Sequence, residues 1–552
     1  PAADEYVRHK VFFSFCMTKL LRNKKFTVLT IAAIAGALLL EPVQAAVTKA
    51  APKSAVKAKS SSRKKARTVF YLPKPTGDLQ QDLDQLFSKK LGRIGVWGIA
   101  VMDLTNDSIV YQYHSDDKFI PASNTKLFTT AAALEKLGPE YTYRTEVYAC
   151  GPVDSQGVLH GDLLIKGSGD PTIGDVQTLM EWADSIRAMG IASVGGDVIG
   201  DEGNFVPEKL VSMVPRASNR LVKPKKRLAW QLSGLSFRDN MVLVTVSGTE
   251  LGKPLRVTTD PPMIVKVNNK SKTLKGGYYT ATRTIKRRNG TVATKNVRVY
   301  RGGTPSVTFD GEVLKVTGTI GLGGSRRVIF MAKEPESHFA RIFAAVLRMK
   351  EIQVGGEPAS MRDKTAVSDR AAALLYAHHS KPLAEIIKVI NKSSHNLYAE
   401  TLVKTLGTET GGEGSVEQGA AASRSIAEEM GLGELDLADG CGLSRQNEVT
   451  PLQVVNLLKF MYEQPYWEIF YNSLAVGGID GTLGGRFSNP ALSGRICAKT
   501  GSIGGVSALS GYLTAKNGKM FAFSILVNNI SRAKLARRIE DYICRILVEY
   551  LS

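Results

Sequence analysis

Two residues in the stretch "PASNTKLFTT" (121–130) could perform nucleophilic catalysis together. Ser123 precedes Lys126 by three positions at the start of a predicted helix, so the two side chains are expected to share one helix face. A serine hydroxyl is a weak nucleophile until a base removes its proton. The spacing therefore predicts Ser123 as a nucleophile and Lys126 as its base. An S-x-x-K pattern also occurs by chance, so the prediction depends on the rest of the chain.

Two further stretches contain the residue types that this chemistry needs. The segment "NKSSHNLYAE" supplies Ser394 and Asn396. The segment "AKTGSIGG" supplies four consecutive candidates, Lys499, Thr500, Gly501 and Ser502. Alone, a Ser-x-Asn is usually a helix cap or a turn, and a Lys-Thr-Gly is usually a loop. In the order S-x-x-K, S-x-N, K-T-G, the three motifs form the signature of the active-site serine penicillin-recognising enzymes.

Residues of the second and third motifs are predicted to bind the substrate and to transfer a proton to its leaving group. Ser394 can relay a proton to the leaving amine, and Asn396 can hold a substrate amide. Lys499 and Thr500 are predicted to lie on an edge strand, where they can bind a substrate carboxylate beside Gly501.

The same residues are predicted to tune the nucleophile. Partial burial and the like charge of Lys499 would each lower the pKa of Lys126, which makes it a better base. The backbone N–H groups of Ser123 and Ser502 are predicted to form an oxyanion hole, worth ~3 kcal/mol per donor.

The resemblance extends beyond the three motifs. The stretches "GDLLIKGSGDPT", "PLAEIIKVINKSSHNLYAETLVKTLG", "DGCGLSRQNEVTP" and "GIDGTLGGRF" look like those of the class C low-molecular-mass penicillin-binding proteins, of the penicillin-binding protein 4 type (peptidase family S13). The similarity covers roughly residues 78–550. Cys441 stands where the family more usually has Ser, and His395 where it often has Asp. Both departures leave the predicted nucleophile and base intact.

The resemblance implies a serine D-Ala-D-Ala carboxypeptidase or DD-endopeptidase that acts on peptidoglycan stem peptides. It also implies an acyl-enzyme on Ser123, inhibition by β-lactam antibiotics that acylate the same serine, and no cofactor. A serine β-lactamase and a non-catalytic cell-wall-binding protein remain as alternatives. A β-lactamase would have its S-x-N motif much nearer Ser123, and a wall-binding protein would have a broken motif. We find no G-x-S-x-G elbow and no H-E-x-x-H metal motif, so no metal site is predicted.

Helices and strands at the two ends of the chain are needed to position these residues. A helix with Leu79, Leu83 and Leu86 on one face is predicted over 78–92, followed by the strands "GVWGIAVMDL" and "SIVYQYHS". The helix that contains Lys126 should end at Gly138. Near the C-terminus, "GRICAKTGSIGG", "VSALSGYLTA" and "KMFAFSILVNN" predict three strands, with a final helix after them.

These elements predict an α/β (α+β) fold, namely a β-lactamase/transpeptidase-like domain whose antiparallel sheet is flanked by helices. A large, mostly β insert interrupts it, with two nested domains. The predicted boundaries are an upstream extension (1–16), a signal peptide (17–45), a basic disordered linker (46–75), the transpeptidase-like domain (76–145 and 362–552), an inserted β domain (146–240 and 317–361) and a nested basic insert (241–316).

The N-terminal segment predicts export. A basic region after Met17 precedes the uncharged run Phe26–Leu40, and small residues follow near Ala45 and Ala46, which is typical of a cleaved signal peptide. The 15-residue apolar run is shorter than the ~20 residues that span a bilayer. We therefore predict an exported, periplasmic protein.

The excess positive charge is confined to two segments of the chain. The formal net charge is +21, yet residues 1–67 contain 14 Lys and Arg against 3 acidic residues, and residues 208–303 contain 21 against 4. In an exported protein such segments favour anionic envelope polymers or the membrane surface over nucleic acid. A merely solvated basic surface is the alternative. Cys150, Cys441, Cys497 and Cys544 allow three disulfide pairings or four free thiols.

Overall fold

The structure is a computed structural model that describes residues 76–87, 94–212, 228–286, 291–300, 302–361 and 372–551. The predicted upstream extension (1–16), signal peptide (17–45) and basic linker (46–75) lie outside the described residues. Residues 287–290 of the predicted nested insert also lie outside them.

The α-helices of the described part of the chain end close to the predicted signals. Gly138, at φ 79°, follows the helix that contains Lys126, as predicted. The helices are α1 (Leu79–Phe87), α2 (Thr125–Leu137), α3 (Val176–Ala188), α4 (Pro335–Met349), α5 (Leu383–Ser393), α6 (Asn396–Glu409), α7 (Val416–Glu429), α8 (Pro451–Tyr462), α9 (Trp467–Ser473) and α10 (Ala533–Tyr550).

The strands fall into two groups, at the two ends of the chain and in its middle. The first part of the chain contains β1 (Val96–Asp103), β2 (Ser108–Tyr113), β3 (Arg144–Cys150), β4 (Val158–Leu159), β5 (Asp162–Lys166), β6 (Ser193–Val194), β7 (Val198–Asp201), β8 (Glu208–Ser212) and β9 (Leu228–Leu232). The middle contains β10 (Met241–Ser247), β11 (Arg256–Asp260), β12 (Lys266–Leu274), β13 (Tyr278–Lys286), β14 (Val292–Tyr300), β15 (Ser306–Phe309), β16 (Val313–Gly321) and β17 (Ser325–Met331). The remainder are β18 (Gln353–Val354), β19 (Pro358–Ser360), β20 (Ala373–His379), β21 (Ala475–Val476), β22 (Ile496–Ile503), β23 (Val506–Thr514) and β24 (Met520–Asn528).

The two ends of the chain share one six-stranded antiparallel sheet, in the order β2-β1-β24-β23-β22-β21. Ile525 of β24 pairs with Ile99 on one side and with Leu509 on the other, so residues far apart in sequence lie in one row. The β23–β24 hairpin turns at Asn517-Gly518, where Gly518 has φ 88°. The predicted antiparallel sheet is therefore present.

Helices cover both faces of this sheet. Strand β23 is buried at eight consecutive positions, which requires cover on both sides. Helix α8 packs against β1, β23 and β24, and α10 packs against β23 and α1. The apolar face of α10 buries Ile539, Ile543 and Ile546, as its spacing predicts. This sheet and its helices are the frame on which the three motifs lie.

Several smaller sheets occupy the chain between α2 and α5. A mixed five-stranded sheet has the order β19-β7-β5-β3-β20, and three-stranded sheets have the orders β11-β10-β17 and β12-β16-β15. Strands β13 and β14 form a separate two-stranded ribbon. The sheet orders do not fix where one domain ends and the next begins, so the predicted domain boundaries stay a prediction.

Two helices within this mostly β region were not predicted. Helices α3 and α4 pack on each other, and the ring centroid of Trp182 lies 5.9 Å from those of Phe339 and Phe343. All three aromatic side chains are buried, so the helices supply the core between the smaller sheets.

Cys150, Cys441, Cys497 and Cys544 are all buried, and none of them forms a disulfide with another described residue. Within the described ranges, none of the helices combines the length and the apolar character that crossing a bilayer requires.

Candidate active site

Ser123 lies in a short 3₁₀ turn, Ala122–Asn124, that leads directly into α2. The preceding residue, Ala122, has φ 49°, in the left-handed region that a residue with a Cβ rarely adopts. Such backbone conformations cost roughly 1–3 kcal/mol and persist where the surroundings fix them. Ser123 is half-buried, so its hydroxyl remains accessible at the end of the helix.

Two glycines allow other segments to approach this turn closely. A Cβ at Gly442 would lie 1.9 Å from the carbonyl oxygen of Ala122, so no larger residue fits there. A Cβ at Gly501 would lie 2.7 Å from the oxygen of Pro121 and 3.2 Å from the nitrogen of Ser123. The glycine of the K-T-G motif therefore lets β22 run against the backbone of Ser123.

Lys126 is completely buried in the first turn of α2, and its amine contacts residues from three different segments of the chain. Its Nζ atom lies 3.2 Å from the Oγ of Ser123, 2.8 Å from the Oδ1 of Asn396 and 2.5 Å from the carbonyl oxygen of Cys441. The first two motifs thus meet at one nitrogen atom.

Ser394 and Lys499 form a second pair. Ser394 ends α5 in the left-handed conformation, with φ 59°, which turns the chain into α6. The buried Nζ of Lys499 donates to the Oγ of Ser394 at 2.8 Å and to the carbonyl oxygen of Thr500 at 2.9 Å. The second and third motifs are therefore also in contact.

Asn396 begins α6, and the unusual His395 before it acts as a structural cap. The Nδ1 of His395 accepts a hydrogen bond from the backbone N–H of Tyr398 at 3.4 Å. Its Nε2 lies 3.4 Å from a carboxylate oxygen of Asp239. The histidine thus links the S-x-N motif to the segment between β9 and β10.

The rest of the K-T-G motif lies along β22. The two-residue strand β21 pairs with Cys497 and Ala498 only, so β22 has an open edge from Lys499 onward. The Oγ1 of Thr500 donates to the Oγ1 of Thr482 at 2.8 Å. Ser502 is exposed, and its hydroxyl accepts a hydrogen bond from Arg537 at 3.3 Å. The open part of the strand is available to an extended substrate.

Burial dominates the electrostatics of both lysines. Burial lowers the pKa of Lys126, while the nearby Asp439 and Glu400 raise it again in part. The pKa of Lys499 lies well below its usual value, first because of burial and second because of the like charge of Lys126. Burial, one of the two predicted causes, is therefore the leading cause of the lowered pKa of Lys126, and the like-charge repulsion between the two lysines adds to the lowering of the pKa of Lys499.

Glu400 is a buried residue at this site that the sequence reasoning missed. Its carboxylate accepts the backbone N–H of Cys441 at 2.9 Å and that of Gly440 at 3.3 Å. These bonds fix the two peptide groups that precede the one whose carbonyl oxygen contacts Lys126. The available signal is position, because Glu400 lies four residues after Asn396 and thus on the same face of α6.

Glu400, Asp439 and Cys441 place three metal-ligand atoms within 4.8 Å of one another. Both carboxylates, however, already accept backbone N–H groups. Asp439 accepts those of Gly442 at 2.7 Å and Ser444 at 2.6 Å. Hydrogen bonds to the loop therefore account for the cluster, which braces residues 439–444 against Lys126.

A serine hydrogen-bonded to a buried lysine, a second buried lysine and an open strand edge on this fold are the features of a serine peptidase of the penicillin-recognising class. The chain belongs to the D-Ala-D-Ala carboxypeptidase 3 (S13) family, which matches residues 79–550. A D-alanyl-D-alanine carboxypeptidase of Actinomadura sp. (strain R39) is 31% identical over 488 residues, which are 86% of this chain and 85% of the relative. The predicted family and enzyme class are confirmed.

Solved structures confirm the fold class. Penicillin binding protein 4 from Haemophilus influenzae superposes with a TM-score of 0.63 at 22% identity, over 83% of this chain and 98% of that one. The same protein in complex with a β-lactam superposes with a TM-score of 0.60, also at 22% identity, over 85% of this chain and 98% of that one. The β-lactamase/transpeptidase-like fold with its large insert is thus a shared architecture.

Proposed function

We propose that the protein cleaves the terminal D-Ala-D-Ala bond of peptidoglycan stem peptides through an acyl-enzyme on Ser123. The observation that carries this proposal is the pair of contacts at 3.2 Å and 2.8 Å, from Lys126 to Ser123 and from Lys499 to Ser394. They support Lys126 as a buried base for the nucleophile and the pair of Ser394 and Lys499 as the route of a proton to the leaving group.

In the acylation step, neutral Lys126 takes the proton of Ser123 as Oγ attacks the carbonyl carbon of the penultimate D-Ala. The backbone N–H groups of Ser123 and Ser502 stabilise the resulting oxyanion. The C–N bond then breaks, and Lys126 passes the proton that it took from Ser123 through Ser394 to the departing amine, which returns Lys126 to its neutral form. A water molecule, deprotonated by the same base, hydrolyses the ester and restores the serine hydroxyl.

Substrate recognition falls to Asn396 and the open part of β22. Asn396 holds a substrate amide, and the strand aligns the peptide beside Gly501. Lys499 and Thr500 bind the terminal carboxylate. Because Lys499 is buried and its pKa is lowered, an arriving carboxylate would raise that pKa and favour the ammonium form.

Penicillin would acylate Ser123 by the same attack, with the β-lactam amide in place of the peptide. The opened ring stays tethered to the acyl group, so the leaving amine cannot diffuse away and hydrolysis is slow. A serine β-lactamase, the nearest alternative, would instead hydrolyse the adduct rapidly. A non-catalytic wall-binding protein would leave the serine unmodified.

The finer features of the function are proposals too. A carboxypeptidase removes a terminal D-Ala, whereas a DD-endopeptidase cuts a cross-link whose acceptor is larger; the same acyl-enzyme serves both reactions. The predicted signal peptide supports an exported, periplasmic enzyme. The two basic segments support electrostatic contact with anionic envelope polymers or with the membrane surface.

Separating these activities needs one experiment with three substrates. The purified mature protein is incubated with a pentapeptide ending in D-Ala-D-Ala, with a cross-linked muropeptide dimer and with benzylpenicillin. Release of D-Ala and slow turnover of penicillin support the proposal, and cleavage of the dimer adds endopeptidase activity. Rapid multiple turnover of penicillin without D-Ala release would favour a β-lactamase.

A further inference from the structure

Three turns meet at one end of the β12-β16-β15 sheet. Strands β12 and β16 run parallel and end together, with Leu274 paired to Gly321. The backbone N–H of Leu322 donates to the carbonyl oxygen of Leu274 at 2.8 Å, which joins the turn after β16 to the end of β12. The N–H of Gly252 donates to the oxygen of Thr273 at 2.8 Å, which brings the β10–β11 turn to the same place.

A leucine is exposed in or directly beside each of these turns. Leu251 is 56% exposed, Leu322 is 54% exposed and Leu274 is 39% exposed. Single exposed aliphatic side chains are common, but several of them exposed side by side form an apolar patch, which often marks an interaction surface. We call Leu251, Leu274 and Leu322 the leucine tip.

Lysines surround the leucine tip. Lys253 and Lys275 lie two and one residues after a tip leucine, and Lys272 lies two residues before Leu274 on the same exposed face of β12. All three lysines are exposed, and none of the ion pairs between described residues involves them. Glu250 is the one acidic residue in the β10–β11 turn. The tip is therefore apolar at its centre and positively charged at its rim.

The combination of exposed leucines and surrounding lysines favours one class of binding partner over the others. A hydrophilic polyanion offers phosphate or carboxylate groups to lysines but no apolar interior for the leucines. A stable protein interface buries about 800 Å² on each partner, far more than three side chains supply. A lipid bilayer accepts a few apolar side chains at its acyl boundary while anionic headgroups bind the lysines. Lysines can also extend their amines to the headgroups while their stems lie along apolar surface.

We infer that the leucine tip is a reversible anchor for the anionic surface of a lipid bilayer. The tip contains none of the three catalytic motifs, so anchoring and peptidase chemistry use separate parts of the molecule. Such an anchor would hold the enzyme at the membrane surface, where newly exported wall precursors are first accessible. This inference goes beyond the proposed function and does not depend on the role of any active-site residue.

The test is co-sedimentation of the full mature chain with vesicles of phosphatidylcholine alone and with vesicles that also contain phosphatidylglycerol. The parent should bind the anionic vesicles. The combined variant Leu251→Ser, Leu274→Ser, Leu322→Ser should bind these vesicles with an affinity that is lower by about tenfold or more. Lys253→Gln, Lys272→Gln, Lys275→Gln should lose the preference for phosphatidylglycerol and most of the salt dependence.

A matched control and a second readout keep the test decisive. The control is the double variant Met189→Ser, Met349→Ser. It removes two side chains of similar exposure, 55% and 53%, at the C-terminal ends of α3 and α4, and it should bind vesicles like the parent. Penicillin labelling in the same samples checks that each protein is folded and has an intact active site. If the parent is not labelled, that result counts against the proposed function alone and not against the membrane anchor. The inference is overturned if the leucine variant binds vesicles as well as the parent does. It is equally overturned if the leucines govern binding to purified sacculi or self-association instead.

Discussion

The Nζ atom of Lys126 lies 3.2 Å from the Oγ atom of Ser123, yet it lies closer to two other oxygen atoms, those of Asn396 and Cys441. In this arrangement all three contacts can be donated by the ammonium form. The neutral form that can accept a proton must therefore arise by deprotonation, and burial is what makes that deprotonation accessible. The expected effects of replacing Lys126 and of changing pH both depend on this relationship.

Replacing Lys126 removes the base while leaving the cleft in place. Lys126→Ala should slow acylation by benzylpenicillin by about 10²–10⁴-fold, the usual contribution of a positioned base. Lys126→Arg should fail almost as completely, because arginine keeps its proton. Stopped-flow measurement of acylation gives both rates, and unchanged thermal unfolding serves as the folding control. A Lys126→Arg enzyme with near-native rates would show that another group takes the proton.

The pH dependence of acylation reports the protonation state of Lys126. Acylation should increase as pH rises through the lowered pKa of Lys126, because only the neutral amine can accept the proton of Ser123. The charge of Glu400 raises the pKa of Lys126, so Glu400→Gln should move this acidic limb to lower pH. The readout is kcat/KM against pH for both proteins. An acidic limb at an unchanged position in the variant would argue against electrostatic coupling of the two residues.

Glu400 should also make stability depend on pH. Burial, and next the charge of Asp439, raise the pKa of Glu400 from 4.5 to about 7. The folded protein thus holds this proton more tightly than the unfolded chain does. The stabilising contribution is complete below pH 4.5 and is lost as pH rises through about 7.

Urea unfolding at about pH 5 and about pH 8 measures this contribution. The parent should lose on the order of 2–3 kcal/mol more than Glu400→Gln over that interval. Glu385→Gln, at an exposed glutamate whose partner is Lys388, is the matched control and should behave like the parent. Parallel pH dependence in the Glu400→Gln variant would exclude this titration.

The open end of β22 should recognise a free carboxylate. Amidation of the terminal D-Ala should raise KM and lower kcat together, because the contact to Lys499 and Thr500 is lost in the transition state as well. Thr500→Val keeps the shape of the side chain and removes its hydroxyl, so it should discriminate less between acid and amide. Steady-state kinetics with the two peptides tests this. Equal turnover of both peptides by the parent would assign the strand another role.

Much of the site could be predicted from the sequence because the three motifs carry their chemistry locally. The spacing of Ser123 and Lys126 fixes a shared helix face, and the apolar runs around Lys499 fix a strand. That the motifs meet follows from the sheet, in which β1 near the start of the described chain pairs with β24 near its end. The strand-like runs at the two ends of the chain predicted both strands.

What escaped prediction depends on long-range contacts. Glu400 has no motif of its own, and its role becomes visible only when residues 439–444 fold against α6. Burial was one of the two causes predicted for the lowered pKa of Lys126, but its extent becomes visible only in the fold, because the degree of burial cannot be read from neighbouring residues. Helices α3 and α4 were missed because the glycines and β-branched residues around them favoured strands. The leucine tip is likewise formed by three turns that are distant in sequence.

The central claim is that Ser123 is the residue acylated during the reaction, and the mass of the intact protein tests it most directly. The mature protein is measured before and after benzylpenicillin, and the modified peptide is then sequenced. We predict one long-lived penicilloyl adduct per chain, located on Ser123 and absent from Ser123→Ala. An adduct that persists in Ser123→Ala, or one located on another residue of the parent, would contradict the account.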